Sequence, residues 1–474
     1  MAKKEASGPT GADARRENNM EKIVSLCKRR GFVFPGSEIY GGLANTYDYG
    51  PLGMELKNNI KQAWWKYFVQ DREDMVGIDG GIMSAAKVWE ASGHVSNFKD
   101  PLVECKKCHK RFRPDKIDSS PREIPQNGNS AKGRIISQGK KCPECGGDFT
   151  EEKKFSLLFK AMIGPVEGEQ VTAYLRGETA QNIFLNYKNV LSSTNKKIPF
   201  GIGQMGKAFR NEITTGNFIF RTLEFEQCEI EYFISPKADW NKVFESWVKY
   251  IHKFTEIVGL DIKKLYDHEI SKEELAFYSK RTIDMEYQFP FGQDELWAIA
   301  YRTDYDLTQH QKHSGQNMEY FDEESSSKYI PHVIEPTFGV DRTLLAVLSE
   351  AYAEEKLKDG ETRIVLRLKP AMAPFKVAVF PLLKNKPELV KKAQGIHKEL
   401  KKHFNTFWDD RGNIGKRYRY QDEIGTPYCV TVDFDSLEKG TVTVRDRDSM
   451  KQEVIKADEL IVWLGKKLLP NWVD

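Results

Sequence analysis

Residues 206–233 read GKAFRNEITTGNFIFRTLEFEQCEIEYF, and no other stretch constrains the fold as tightly. From 220 to 233 the chain reads as one long strand, in which side chains two apart share a face. Arg221, Phe225 and Glu229 then point one way, with Leu223, Gln227 and Glu231 in the same row. Thr215, Gly216 and Asn217 supply a turn, so the preceding segment pairs back antiparallel and sets Arg210 and Glu212 on one face of its own strand. Such a surface offers guanidinium groups to phosphate, a ring to a base and carboxylates to an ammonium group. The same residues also suit an exposed hairpin whose charges form surface pairs.

A chain of 474 residues has length for two or three domains. With 40% hydrophobic and 30% charged residues it has a soluble, globular composition, and no apolar run approaches the ~20 residues needed to cross a bilayer. The net charge of +3 is too mild to mark a nucleic-acid binder by itself, so local clusters must carry that argument. Residues 1–19 are polar and of mixed charge, without the apolar core of a signal peptide or the acid-poor character of a transit peptide; a disordered tail on a cytoplasmic protein is expected, with Met20 as an alternative start.

Four of seven cysteines are paired, Cys105 with Cys108 and Cys142 with Cys145. Without a secretion signal this spacing reads as a structural metal site of the zinc-knuckle kind, four reduced thiols being the alternative. The pairs lie in a Pro- and Gly-rich stretch, 99–155, that reads as an insertion. Helical spacing at 54–69, an Asp239 cap before an apolar helical face, and a buried strand at 295–306 running into a polar loop complete an α+β first domain over 20–368. After Lys369 the order strand, helix, strand predicts a small α/β domain, 369–474. Neither a P-loop nor a GxGxxG fingerprint is present, so a nucleotide would have to be held by arginines.

These pieces resemble the class II aminoacyl-tRNA synthetases, and among them the homodimeric glycyl-tRNA synthetases, from about Met20 to the C-terminus. TYDYGPLGMELKNNI at 46–60 is similar to the motif 1 region of the dimer interface. VWEASGHVSNFKD (88–100), LRGETAQNIF (175–184), the opening hairpin (motif 2) and PHVIEPTFGVDR (331–342, motif 3) follow in family order. RGNIGKRYRYQDEIGTPYCVTVDF at 411–434 resembles an anticodon-binding domain. The resemblance implies an antiparallel-sheet catalytic domain carrying the cysteine-paired insertion, then a C-terminal α/β anticodon-binding domain. It also implies ATP-dependent attachment of glycine to tRNA(Gly) through glycyl adenylate, with Mg2+ beside the ATP and Zn2+ in the knuckle.

Residue by residue, the resemblance assigns catalysis to Arg210 and Arg342. It assigns ATP binding to Arg210, Asn211, Glu212, Phe220, Arg221, Thr222, Leu223, Glu224, Phe225, Glu295, Leu296, Gly339, Val340, Asp341 and Arg342. Glycine binding falls to Arg113, Glu178, Phe225, Glu226, Gln227, Cys228, Glu229, Glu335, Pro336, Thr337, Phe338 and Gly339. Glu178, Glu229 and Glu335 match the family's carboxylates around the amino group, and Cys105, Cys108, Cys142 and Cys145 would hold the metal. Arg411, Lys416, Arg417 and Arg419, interleaved with Tyr418 and Tyr420, would neutralise phosphate and stack on anticodon bases, an ordinary charged loop being the alternative. His94 and His310 are read as structural.

The chain departs from the family at Thr214, Thr215 and Gly216, at Leu223 where arginine is usual, and at Thr337 where serine is. An accessory nucleic-acid-binding protein on the same fold should have lost Arg210, Arg342 or the glutamates, and all remain.

Overall fold

The computed structural model describes residues 13–114, 117, 141–213, 216–358 and 360–468, with the side chains of 13–18 left aside. The chain divides into two compact units, one of residues 1–76, 237–301 and 334–474, the other of 77–236 and 302–333. A helix, Asp13–Arg30, begins inside the segment expected to be a disordered tail. Residues 1–12, most of the polar stretch inside the insertion, and Thr214 and Thr215 of the motif 2 loop lie outside the described residues.

In the first unit the helix Pro51–Trp65 opens with proline at its first turn, where the missing N–H costs nothing. Gly53 is forced by its surroundings, because a Cβ there would sit 1.8 Å from the Phe32 carbonyl oxygen. The helix buries Leu56, Ile60, Ala63 and Trp64, as the spacing predicted. Trp240–Val258 is capped by the Asp239 carboxylate, which accepts from the Lys242 amide at 3.1 Å. Three antiparallel strands follow, Leu265–Glu269, Arg281–Phe289 and Gly292–Thr303. Phe338, at the end of the strand His332–Gly339, packs its ring against Trp64, Phe68, Phe254 and Trp297 at centroid distances of 4.9–5.9 Å. Offset and edge-on contacts of this kind lock the element on which Glu335 and Arg342 are carried.

The C-terminal part of this unit is a five-stranded sheet in the order Thr406–Trp408, Val377–Pro381, Tyr428–Val432, Thr441–Asp446, Gln452–Lys456. The first three strands are parallel, the rest antiparallel. Pro387–Leu400 and Leu460–Leu468 bury Leu389, Ala393, Leu400, Leu460 and Leu464 against it, which is the small α/β domain read from the sequence.

In the second unit Phe200–Phe209 pairs with Glu224–Ile234, with Gln204 opposite Glu229 and Phe209 opposite Glu224. The long strand therefore begins four residues later than its alternation suggested. Asn217 and Phe218 take positive φ (55° and 61°), and Phe218–Phe220 coils into a short helical turn. The strands stop at Phe209 and resume at Glu224, so Glu212 and Leu223 do not sit on strands and Arg221 makes only an isolated bridge with Gly216. From Glu226 to Ile234 every residue is buried, which removes the exposed-hairpin alternative. The helix Ala180–Thr194 packs Tyr187 against Phe200 and Phe233. The polar loop expected after Thr303 is a helix, Tyr305–Ser314, which buries Asp306, Leu307 and His310.

Candidate active site

In the second unit Arg210 stands just beyond the strand Phe200–Phe209. Its Nε donates to the Gly177 carbonyl at 3.0 Å, and its guanidinium lies 5.2 Å from the Phe98 ring centroid and 5.3 Å from that of Phe225. No carboxylate lies within ion-pair distance of it among the described residues, so its remaining N–H groups are available to an anion. Arg221 leans on Glu212 instead, at 3.2 Å. Glu212 thus holds the Arg221 guanidinium in place.

Glu178 and Glu229 lie together in a buried polar network. Glu229 Oε2 accepts from the Thr179 amide (2.8 Å) and hydroxyl (2.5 Å), and Oε1 from the Gln227 amide (3.1 Å). Glu178 Oε1 accepts from Gln181 Nε2 at 3.0 Å, with Arg302 at 3.8 Å, and Oε2 faces His94 Nε2 at 3.2 Å. Gln181 in turn meets Asp306 and His310, and Arg302 forks onto Asp306 at 2.8 and 2.9 Å. Burial alone would raise the Glu178 carboxyl, but His94, Arg302 and Gln181 outweigh it and hold the group below the ordinary glutamate range. Burial, then the neighbouring Glu178, pushes the Glu229 carboxyl up against the Thr179 hydrogen bonds and Arg210. The pair is one firm anion beside one reluctant one, a natural receptor for a cation.

Under this network Arg176 donates to the carbonyls of Lys207 (2.6 Å) and Gly80 (2.7 Å). Position 206 must be glycine for this, since a Cβ would lie 2.1 Å from the guanidinium. Arg113 is paired with Asp100 at 2.6 Å. Strand alternation turns Glu226 and Cys228 to the face opposite Glu229. Thr222 hydrogen-bonds the Glu224 carbonyl, Phe220 is buried, Asn211 donates its backbone N–H to Leu157, the Leu223 carbonyl accepts from the Arg210 amide, and Glu224 pairs with Lys207. These contacts shape the loop between the two strands.

In the first unit Arg342 Nη1 reaches the Glu295 carboxylate and carbonyl, both at 3.0 Å. Burial, then Glu295, pushes the nearby Asp284 carboxyl up to about 7. Glu335 and Thr337 share a face of their strand, whereas Pro336 and Phe338 point the other way, the latter into the aromatic core. Leu296 and Val340 are core residues, Gly339 caps the following helix, and Asp341 is held by Lys57 at 2.9 Å and by the Tyr49 hydroxyl. Asp341 therefore ties the Tyr49–Pro51 turn to the helix Val340–Ala351 and is spent on structure.

The thiols of Cys105, Cys108, Cys142 and Cys145 converge within 4.8 Å of one another. Cys105–Cys145 and Cys108–Cys142 separations of 3.4 and 3.7 Å approach the ~3.8 Å edge of a tetrahedral site with ~2.3 Å metal–sulfur bonds. The backbone N–H of Cys108 foremost, with that of Lys107, brings the Cys105 thiol down to about 6 against desolvation, whereas, against the Lys110 backbone N–H, desolvation and the neighbouring thiols push the Cys108 thiol up to about 12.

In the C-terminal domain the expected tRNA-facing cluster separates. Arg417 is buried and donates to the Pro381 carbonyl at 2.6 Å, Tyr418 hydrogen-bonds Thr431, and the Tyr420 ring lies under Arg30 at 4.7 Å. Arg411 and Lys416 remain exposed, with Arg419 half-buried.

Residues 166–351 match the class II core domain of tRNA synthetases (G, H, P, S and T), and 376–467 match an anticodon-binding domain. Curated glycine–tRNA ligases of Clostridium tetani, Lachnospira eligens and Acetivibrio thermocellus are each 53% identical over 95% of this chain and 99% of their own length. The chain belongs to the glycine–tRNA ligase family. Its class II core and anticodon-binding domain are those the sequence motifs implied, and class II cores work with ATP. His94, read from the sequence as structural, is one support of the carboxylates; Thr179, Gln181, Arg302 and Asp306 are supports that sequence reading missed, although they lie inside the stretches 175–184 and 295–306, because the contacts join residues as far apart as 94 and 178 or 181 and 306. No described helix is long and apolar enough to cross a membrane.

Proposed function

We propose that the protein activates glycine with ATP and transfers it to tRNA(Gly). The free guanidinium of Arg210, fixed between two rings beside the paired glutamates, carries this reading. Glycine's ammonium group lies against Glu178 and Glu229, and the family resemblance assigns Glu335 the part of the third acid. One carboxylate oxygen attacks the α-phosphorus, the bond to the bridging oxygen breaks, and pyrophosphate leaves. Arg210 meets the charge growing on the α-phosphate, where a preorganised donor lowers the barrier most. Arg221 and Arg342 exchange Glu212 and Glu295 for the outer phosphates, and Phe225 stacks on adenine. A glycine carboxylate is already ionised at neutral pH, so no side chain need act as base. Thr337, on the Glu335 face, narrows the pocket against larger amino acids. The terminal ribose hydroxyl of tRNA then displaces AMP.

Magnesium bound with the nucleotide neutralises phosphate charge. Asp284 fits it, because a carboxyl raised to about 7 by burial and a neighbouring acid gains from a cation. Four converging thiols suit zinc with no open position, hence a structural role. A homodimer accounts for the exposure of Ile39 (89%), Tyr40 (87%) and Leu43 (59%) ahead of the motif 1 helix. The protein works in the cytoplasm, with 20–368 as catalytic domain and 369–474 reading the anticodon through Arg411, Lys416 and Arg419. Amino-acid-dependent ATP–pyrophosphate exchange with glycine, alanine, serine, threonine and proline tests the reading. Glycine alone should support exchange; equal exchange with alanine would remove the pocket argument.

A further inference from the structure

Ser92, His94 and Glu178 form a line whose order imitates a hydrolytic triad. Ser92 Oγ lies 2.8 Å from His94 Nδ1, and His94 Nε2 lies 3.2 Å from Glu178 Oε2. Nucleophilic chemistry is ruled out by burial, since Ser92 is 0% exposed and no substrate could reach its hydroxyl. What the line can do is aim and charge Glu178. The His94 ring is clamped edge-on by Trp89 at 5.2 Å (85°) and by Phe98 at 5.4 Å (65°), so its Nε2 has one direction to point. Phe98 is the same ring that faces the Arg210 guanidinium. The helical segment His94–Asn97 thus supports both the amino-acid carboxylate and the phosphate-binding arginine.

We propose that His94 is a positioning residue for the amino-acid site: its hydrogen bond to Glu178 Oε2 decides that Glu178, rather than Glu229, is the permanent anion facing the substrate's ammonium group. This deepens the placement of glycine given above and rests on it. The groups around the two carboxylates are His94, Gln181, Arg302, Asp306 and His310 about Glu178, and Thr179, Gln227 and Arg210 about Glu229. Among the described residues, His94 is the donor placed on Glu178 Oε2. Gln181 and Arg302 both address Oε1, and Arg302 is already committed to Asp306 at shorter distance. Removing His94 leaves one oxygen of a fully buried carboxylate without its donor, while Glu229 beside it still resists ionisation. The pair then takes up a proton at higher pH than before, and that proton competes with the substrate ammonium. Competition of this kind weakens glycine binding as pH falls and leaves ATP binding untouched.

The experiment is ATP–pyrophosphate exchange on the full chain, with KM for glycine and for ATP measured between about pH 6 and 8.5. Wild type, His94→Leu, His94→Gln, Ser92→Ala and Glu178→Gln are compared, each checked by thermal melting. His94→Leu should raise the glycine KM about ten- to hundredfold, the expected cost of a lost hydrogen bond to a charged group. Its glycine KM should also climb by up to about tenfold per unit of falling pH, with ATP KM within about twofold of wild type. His94→Gln, which restores a neutral donor, should recover most of the loss. Ser92→Ala, a smaller change, should show the same pH dependence in weaker form, and keeps the test open should His94→Leu fail to fold. Glu178→Gln separates the two levels of argument. If it leaves the glycine KM unchanged, the placement of glycine is wrong. If it destroys glycine use while both His94 variants keep a wild-type, pH-independent glycine KM, the positioning role is wrong and the placement stands.

Discussion

Replacing Arg210 should damage chemistry far more than stability. Its guanidinium is tethered by a hydrogen bond to the Gly177 carbonyl and by two flanking rings, and among the described residues it pairs with no carboxylate within ion-pair reach. Each ring contact contributes about 0.5–1 kcal/mol at most, so truncation should lower stability by only about 1–2 kcal/mol. In the transition state the same group would supply charge-assisted hydrogen bonds to the α-phosphate, and losing one preorganised donor costs about 3–4 kcal/mol, or 10²–10³ in rate. Arg210→Ala should therefore slow glycine-dependent exchange by about 10²–10³ while the melting temperature moves by a few degrees. Arg210→Lys should recover little, because an ammonium group cannot bind Gly177 and fork onto phosphate together. Arg210 also helps keep Glu229 ionised, so the alanine variant should show a higher glycine KM towards low pH. Exchange by Arg210→Ala within about tenfold of wild type, with melting unchanged, would refute the assignment.

Glu229→Gln should stop glycine activation yet raise the melting temperature of the ligand-free protein. Folding lifts this carboxyl above its unfolded value, so the associated stability is present below that value and lost as pH rises through the folded one. The stabilisation by glutamine should accordingly be larger at pH 8 than at pH 5, by roughly 1–2 °C in a melting scan. Metal analysis of the purified protein should find one zinc per chain. Cys142→Ser should lose it and destabilise the insertion while the C-terminal domain still melts normally. Asp284→Asn should raise the magnesium concentration needed for half-maximal exchange, leaving glycine KM unchanged. Arg417→Ala should destabilise the C-terminal domain, since it strips a buried donor from the Pro381 carbonyl. Arg411→Ala with Lys416→Ala should leave melting alone and flatten the salt dependence of tRNA binding by about two phosphate contacts.

Legibility from sequence followed the range of the interactions. Helices fixed by local spacing and caps, such as the one behind Asp239, were readable because each signal lies within a few residues. The strand expected from Phe220 begins only at Glu224 for a physical reason: the helical turn Phe218–Phe220, entered through left-handed Asn217 and Phe218, extends the connection beyond the turn expected at 215–217. Arg417 and Tyr418 looked like nucleic-acid contacts because their residue types suit that role, and only the sheet beneath them turns both inwards. The Asp341 carboxylate is engaged by Lys57 and Tyr49, partners nearly three hundred residues away that its motif does not announce. Glu178 and Glu229 are legible through their motifs, while the groups that make Glu178 a firm anion, His94, Gln181 and Arg302, come from three separate segments that no spacing rule connects.

The most direct test is a crystal structure with a non-hydrolysable glycyl-adenylate analogue bound. The account predicts the ammonium group within hydrogen-bond distance of the Glu178 and Glu229 carboxylates, the phosphate mimic on Arg210, and the adenine against Phe225. An ammonium group found away from both glutamates, with Arg210 still stacked between its rings and touching no ligand, would contradict it.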